Sequence, residues 1–298
     1  MTTVAVIAHE KKTTGGGLEE LRAALADGGY GDPIWYEVPK SRKAPKKVRK
    51  ALDHAADVIL LWGGDGTVQR SVDELVRHDA GDDVTVGTIP AGTANLLATN
   101  LGVPTDVRAA VEVALGGARR SIDAGVVNEE HFLVMAGTGF DAMMIRDADR
   151  GLKDRFGRAA YVWTGAANLE NASAEVTVEV DGETWYEGRT SCVLTANVGT
   201  IVGGIEAFPD ARADDGLLEI GVIEAGTRWE WLRVLGRATV DRADRSPLVA
   251  TTRGSQITVR LDRRLPYELD GGDRDRANEL NIRVKPRAVT IAVPAPTP

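Results

Sequence analysis

Residues 58–68 read Val58-Ile59-Leu60-Leu61-Trp62-Gly63-Gly64-Asp65-Gly66-Thr67-Val68. The unbroken apolar run Val58–Trp62 fits a strand buried on both faces, and such strands belong to parallel sheets covered by helices. Beyond the glycines, Val68–Arg77 carries Val72, Leu75 and Val76 at helical spacing. A glycine-rich turn therefore joins a strand to a helix. Glycine lets the backbone turn sharply and approach a ligand, and the helix start offers N–H groups at the positive end of its dipole. Thr67 adds a hydroxyl donor, and Asp65 can cap the turn or orient a metal-bound water. A plain βα turn needs only such a cap; five consecutive residues of this kind in that position favour a phosphate cradle.

Outward from this turn, the first third of the chain repeats the same alternation. Val4–Ala8, Ile34–Val38 and Val84–Ile89 read as further strands. Helical spacing appears in Leu18, Leu21 and Leu25, in Lys46–Ala56 through Val48, Leu52 and Ala55, and in Thr105–Leu115, with Thr105 as the expected cap. Alternating strands and helices predict right-handed βαβ units around a parallel sheet. A second small-residue loop, Pro90-Ala91-Gly92-Thr93-Ala94-Asn95, follows the fourth strand. Ligands of such sheets bind beyond the carboxyl ends of the strands, so Gly92, Thr93 and Asn95 share an edge with Gly63–Thr67. Neither loop has the Gly-Lys-Ser/Thr of a P-loop or the G-x-G-x-x-G dinucleotide pattern.

After Gly116-Gly117 the texture changes. Short apolar or alternating runs dominate: Phe132–Ala136, Glu175–Val180, Cys192–Ala196, Leu217–Ile223, Gln256–Leu261, Asn281–Val284 and Val289–Val293. Val176, Val178 and Val180 alternate with Glu175, Thr177 and Glu179, which is a strand with one wet face. Helical stretches interrupt near Ala159–Glu170 and Arg228–Arg237. The expected division is an α/β domain over 1–120 and a mainly antiparallel β-sandwich over 121–298, with Pro294–Pro298 a frayed tail.

Composition narrows the function. The chain has 298 residues, with Lys+Arg 36 against Asp+Glu 44 and a net charge of −8. That balance argues against a general nucleic-acid partner, whose phosphates it repels. Residues 40–50 hold seven basic residues and no acid, which leaves −15 on the rest. The single cysteine, Cys192, rules out an internal disulfide framework, a Cys-rich zinc site and a CxxC redox pair. His9, His54, His78 and His131 show no metal-ligand spacing. No run approaches the length of a membrane span, and Met1–Glu10 lacks a charged leader region, so a cytoplasmic protein is expected.

Four motifs now stand in order: Gly63-Gly64-Asp65-Gly66-Thr67; Pro90-x-Gly92-Thr93-x-Asn95-x-x-Ala98; Gly137-x-Gly139-Phe140-Asp141; and Asp214-Asp215-Gly216-Leu217-Leu218. Together they resemble the lipid kinases of the diacylglycerol kinase and sphingosine kinase superfamily. The resemblance implies an N-terminal α/β domain, a C-terminal β domain, and an ATP site in the cleft between them. It implies transfer of the γ-phosphoryl group of Mg-ATP to a lipid hydroxyl, most like the bacterial diacylglycerol kinases that make phosphatidic acid. Gly63, Gly64, Asp65, Gly66, Thr67, Gly92, Thr93 and Asn95 would hold the nucleotide. By position, Asp215 with the carbonyls of Arg212 and Leu217 would hold a structural magnesium ion, although an Asp-Gly turn explains the same residues. Asp141 matches a family position as well, with turn capping the simpler role. Tyr161–Trp163 and Ile201–Phe208 are candidates for lining a lipid cleft.

The chain departs from the family at three places. The Asp-Gly-Glu motif near the C-terminus, whose Glu is regarded as proton acceptor, appears here as Asp270-Gly271-Gly272 followed by Asp273. Asp270 is then the expected catalytic base, unless Asp273 reaches the site through a shifted turn or activity is lost. Asp270→Asn is expected to abolish turnover without unfolding the protein. The first loop is His9-Glu10-Lys11-Lys12-Thr13-Thr14-Gly15-Gly16-Gly17 instead of an Asn-Pro-x-Ser/Ala-Gly turn. After Thr67 comes Val68-Gln69-Arg70 where the family often has Asn-Glu. Two other functions stay open: a small-molecule kinase of the NAD kinase type, and a non-catalytic relative that binds nucleotide or lipid. The partners expected are a lipid substrate and, through Lys40–Lys50, transient contact with an anionic membrane. The sequence leaves the oligomeric state open, a homodimer included.

Overall fold

The computed structural model describes residues 2–139, 173–201, 205–225, 227, 230 and 248–296. These fall into two units, Met1–Ala124 with Pro286–Pro298, and Gly125–Lys285. The division differs from 1–120 and 121–298 in two respects: the first unit runs on to Ala124, and the last segment, Pro286–Pro298, belongs with it.

The first unit is built on a sheet whose central strands are apolar and buried. β1 (Val4–His9) and β3 (Val58–Gly63) are buried along their whole length. β2 (Ile34–Val38) and β4 (Thr85–Pro90) complete the order β2-β1-β3-β4, and every pairing is parallel. A fifth parallel strand comes from the far end of the chain. The end of β16 (Gly272–Val293) lies beside β4, with Thr290 opposite Thr85. α1 (Gly17–Asp27) packs against α5 (Val107–Gly116), and α2 (Ala44–Asp53) against α3 (Asp65–Arg77). The chain runs from β1 outward to β2, then returns to the other side of β1 as β3. The direction of winding reverses between β1 and β3, which is where doubly wound sheets take their ligands. A short 3₁₀ turn, Ser41–Lys43, leads into α2, and the five-residue α4 (Leu96–Asn100) follows the Pro90–Asn95 loop. The cap of α5 is Asp106, whose Oδ1 accepts from Ala109 N at 2.9 Å, and not the expected Thr105.

The second unit follows β5 (Ala118–Val127) and is antiparallel among the described residues. It contains β6 (Glu130–Phe132), β7 (Met135–Gly139), β8 (Ala174–Val180), β9 (Glu183–Thr190), β10 (Cys192–Ala196), β11 (Thr200–Ile201), β12 (Ile205–Glu206), β13 (Leu218–Ile223), β14 (Val249–Gly254) and β15 (Gln256–Leu269). β15 explains the sandwich. Its first half, Ile257–Leu261, pairs with β8, and its second half, Tyr267–Leu269, pairs with β7. The register breaks between Arg260 and Leu265, so the strand bends there and changes neighbours. Alternate residues face a common core: Val176 and Val178, Leu218, Ile220 and Val222, Ile257, Val259 and Leu261. Each fully buried side chain of this kind contributes roughly 1.5–3 kcal/mol. The helical stretches expected near 159–170 and 228–237, together with Phe140, Asp141 and Tyr161–Trp163, lie outside the described residues, as does part of Ile201–Phe208.

Candidate active site

Three loops leave the carboxyl ends of β1, β3 and β4. Gly63 pairs with Pro90 at the last register position, so the second and third loops start side by side. Ala91 N donates to Gly63 O at 2.9 Å and holds them there. The glycines of this contact serve different purposes. A Cβ on Gly64 would stand 2.9 Å from Gly92 Cα, and one on Gly63 would stand 2.8 Å from the Thr67 side chain. Gly64 and Gly92 are bare because their backbones touch, and Gly63 because the Thr67 side chain lies against it. A Cβ on Gly66 meets nothing within 4 Å. Packing gives no reason for that glycine, which sits in the first turn of α3 where backbone N–H groups have no helical acceptor. Room kept open beside such donors is what a phosphate requires.

Asn95 shapes the third loop. It adopts a left-handed conformation, φ 50°, and its side chain closes the loop on itself. Gly92 N donates to Asn95 Oδ1 at 2.8 Å, and Asn95 Nδ2 donates to Gly92 O at 3.1 Å. Asp65 then joins the two loops, its Oδ1 accepting from Leu97 N at 3.4 Å. Burial pushes the Asp65 carboxyl up, while the backbone N–H groups of Leu97, Leu96, Asp65 and Asn95 pull the other way. Thr93 is exposed at the loop tip. Thr67 points inward: it is 2% exposed, and its Oγ1 lies 2.9 Å from Ser41 Oγ. The hydroxyl read as a ligand donor is thus committed to the protein. It fixes the glycine turn to the 3₁₀ turn that leads into α2.

Two supports of this edge were not visible in the sequence. Ser41 stands inside a run of charges and gives no signal of its own. Trp62 Nε1 donates to Lys12 O at 2.9 Å, pinning the first loop to β3. In that loop His9 Nδ1 accepts from Lys11 N at 3.2 Å, and burial, with Lys12 nearby, holds the imidazole below its usual range.

In the second unit, Asp270-Gly271 forms the two-residue turn between β15 and β16, with φ 46° and 77°. Positive φ at both positions is the hairpin geometry that Asp-Gly favours. The Asp270 side chain does not face solvent, being 3% exposed. Its Oδ2 accepts from Leu133 N at 2.8 Å, and its Oδ1 from Val134 N and Met135 N, both at 2.9 Å. A carboxylate spent on three backbone donors ties the hairpin to the 133–135 segment. An Asn amide here would turn its N–H group toward one of these backbone N–H groups, so Asp270→Asn disturbs the hairpin as well as any chemistry. Glu268, fully buried, accepts from Gly271 N at 2.7 Å. Glu268 pairs with Asp273 in register, so the turn is not shifted, and Asp273 is exposed. Past Asp273 the register slips, and Arg274 swings inward onto Glu130. Its Nε donates to Glu130 Oε2 at 2.7 Å and its Nη1 to Gly272 O at 2.9 Å. A Cβ on Gly272 would stand 2.8 Å from Arg274 Nη1. Gly272 leaves room for this arginine.

Asp215 is exposed, and its Oδ1 accepts from Leu217 N at 3.1 Å, the turn-capping pattern of an Asp-Gly turn. Arg212 Nε lies 3.7 Å from Asp214 Oδ1. Burial, with Asp215 and Asp210 nearby, pushes the Glu219 carboxyl up, and Arg253 opposes it. No group of three His, Cys, Asp or Glu side chains suited to a metal occurs among the described residues.

A doubly wound parallel sheet with a glycine turn at its switch point, followed by a β-sandwich, defines a two-part kinase fold. Residues 4–127 match the diacylglycerol kinase catalytic domain, and residues 134–293 match the YegS C-terminal NAD kinase beta sandwich-like domain. The chain belongs to the diacylglycerol kinase-like family of lipid kinases. It is 29% identical to a diacylglycerol kinase of Bacillus subtilis over 72% of this chain and 71% of that one. It is 30% identical to a Pseudomonas fluorescens protein named "Probable lipid kinase YegS-like", over 86% and 83% of the two chains. A crystal structure of a diacylglycerol kinase from Bacillus anthracis superposes with a TM-score of 0.80 at 21% identity, covering 98% of this chain and 96% of that one. Yeast NADH kinase, solved with NADH, superposes with a TM-score of 0.56 at 13% identity, covering 99% and 84%. These last two likenesses concern the fold. Kinase and transferase are the class of chemistry that the family carries. No helix among the described residues is long and apolar enough to cross a membrane.

Proposed function

We propose that the protein transfers the γ-phosphoryl group of Mg-ATP to a lipid hydroxyl, with diacylglycerol as acceptor and phosphatidic acid as product. The observation that carries the reading is the open face of Gly66 at the start of α3, in a turn whose other glycines are required by packing. The names of the relatives support the lipid acceptor. In the transfer, the acceptor oxygen forms a bond to the γ-phosphorus as the bond to the bridging oxygen breaks and ADP departs. Such transition states are loose, so the protein mainly positions phosphates and offsets charge. Gly64 and Gly66 present backbone N–H groups to the phosphates, while the Thr67 N–H closes the turn onto Gly64 O at 2.8 Å; Gly92 and Asn95 hold the adjoining wall, and Thr93 offers an exposed hydroxyl. Asp65 keeps the two loops together.

Asp270 orients its hairpin through backbone bonds, and Asp273, the exposed carboxylate beside it, accepts the proton of the lipid hydroxyl. The magnesium that accompanies ATP supplies charge neutralisation. A separate structural magnesium would be held by Asp215 and the carbonyls of Arg212 and Leu217. Hard oxygen donors suit that ion, and it would relieve the repulsion among Asp210, Asp215 and Glu219. Incubation with labelled ATP and diacylglycerol, total lipid extract or NAD tests the reading. Label in diacylglycerol is the expected outcome. Label in NAD would transfer the protein to the small-molecule kinases, and ATP binding without transfer would make it a non-catalytic relative.

A further inference from the structure

The basic run 40–50 is absorbed by none of this chemistry. In the structure it becomes the 3₁₀ turn Ser41–Lys43 and α2. Ala44, Val48 and Ala51 are buried, and they fall on one face of the helix. The opposite face carries Lys43, Lys46 and Lys50, all exposed, at spacings of three and four residues. Lys40 and Arg42 extend this stripe at its amino end, also exposed, and Asp53 closes its far end. Among the described residues, the cation of this segment that holds a carboxylate is Arg49, 3.1 Å from Glu74. Lys47 lies over the Tyr36 ring, 5.0 Å from its centroid. Ser41, within the stripe, lies against Thr67 of the phosphate turn, so the basic surface begins at the loop itself.

We propose that this stripe is a docking surface for an anionic phospholipid leaflet, set directly beside the phosphate turn. The proposal rests on the lipid kinase reading for its occupant, since an acceptor in a bilayer must be met there. Charge complementarity supports it: five exposed cations concentrate on one small surface of a chain that carries −8 overall. A leaflet is flat and can meet this face, with Asp53 at its edge, without running on over the rest of the acidic chain, and charges more than about one Debye length of 8–10 Å from it are screened. A long nucleic acid would have to run past the acidic remainder. The stripe also lacks an exposed aromatic ring on which a base could stack, because Lys47 covers Tyr36. The exposed face has no apolar residue to insert, so binding should be electrostatic and sensitive to salt.

The test uses the full chain with vesicles of phosphatidylcholine alone and of equal parts phosphatidylcholine and phosphatidylglycerol. The wild-type protein should sediment with the anionic vesicles, less so as salt rises, and not with the neutral ones. The variant K40Q/R42Q/K43Q/K46Q/K50Q should bind the anionic vesicles at least ~10-fold more weakly, at ~1 kcal/mol for each basic residue near the surface. These substitutions lie on an exposed face, and an unchanged circular dichroism melt shows that the variant folds. Its turnover of a water-soluble, short-chain diacylglycerol should equal that of the wild type. Unchanged vesicle binding by the variant overturns the docking surface while leaving the kinase reading standing. Salt-sensitive vesicle binding by a wild type that phosphorylates no diacylglycerol in any form overturns the kinase reading and leaves the surface standing. Displacement from vesicles by single-stranded DNA at equal phosphate concentration would assign the stripe to nucleic acid instead.

Discussion

Gly66 and Asp65 are neighbours with opposite relations to the fold. Gly66 occupies a helical position where alanine is better by about 0.5–1 kcal/mol, and a Cβ there meets no protein atom. Gly66→Ala should therefore melt at the same temperature or higher while its ATP dissociation constant rises about tenfold, on the order of 1.4 kcal/mol. Calorimetry of both properties on one sample checks this, and unchanged affinity would remove Gly66 from the cradle. Asp65 is ionised at a cost, because burial raises its carboxyl above the aspartate range. The folded state then holds the proton more tightly than the unfolded one, so this residue's contribution to stability declines as pH rises through and above that range. Asp65→Asn, which keeps an oxygen for Leu97 N, should melt higher than the wild type at neutral pH, and the gap should close in acid. A gap that widened in acid would reverse the assignment. These roles were only partly legible in the sequence. Glycine-rich spelling marked the turn, but it could not separate the glycines that the fold needs from the one it does not.

Elements settle how the site residues are held. The Gly63–Thr67 turn is fixed on two sides, by Gly92 against Gly64 and by Ser41 against Thr67. Gly92→Ala forces the two backbones apart and should cost about 1–3 kcal/mol of stability, as overpacking does. A melt equal to the wild type would show that the loops do not touch. The β15–β16 hairpin is held by its own acid. Loss of the Asp270 charge from three backbone donors should cost about 3 kcal/mol. Asp270→Asn should accordingly melt well below the wild type, whereas Asp273→Asn should keep the melt and lose turnover. The turn itself was readable from Asp-Gly, and most strands from their apolar runs. β9, spelled Glu-Thr-Trp-Tyr-Glu-Gly-Arg-Thr, was not, because a solvated strand at a sheet margin needs little apolar content. The full length of β15 and β16 escaped for a related reason: bulges interrupt the period-two pattern on which a reading of strands depends.

At the scale of the molecule, the order of the motifs was the most informative feature, since no single loop distinguishes a lipid kinase from another nucleotide-binding sheet. Charge was the second: a net charge of −8 with seven basic residues gathered in 40–50 argues against polyanion binding in general and points to one place where it is favoured. What the sequence could not express was the return of residues 286–298 to the first unit, because pairing between the two ends of a chain leaves no local pattern. The central claim is phosphoryl transfer to a lipid hydroxyl, and one measurement meets it most directly: the purified full chain with magnesium, labelled ATP and dispersed diacylglycerol. Label is expected in phosphatidic acid, reduced by Gly66→Ala in proportion to its loss of ATP affinity when ATP is below saturation. Labelled NAD, or bound ATP with no labelled lipid, would contradict it.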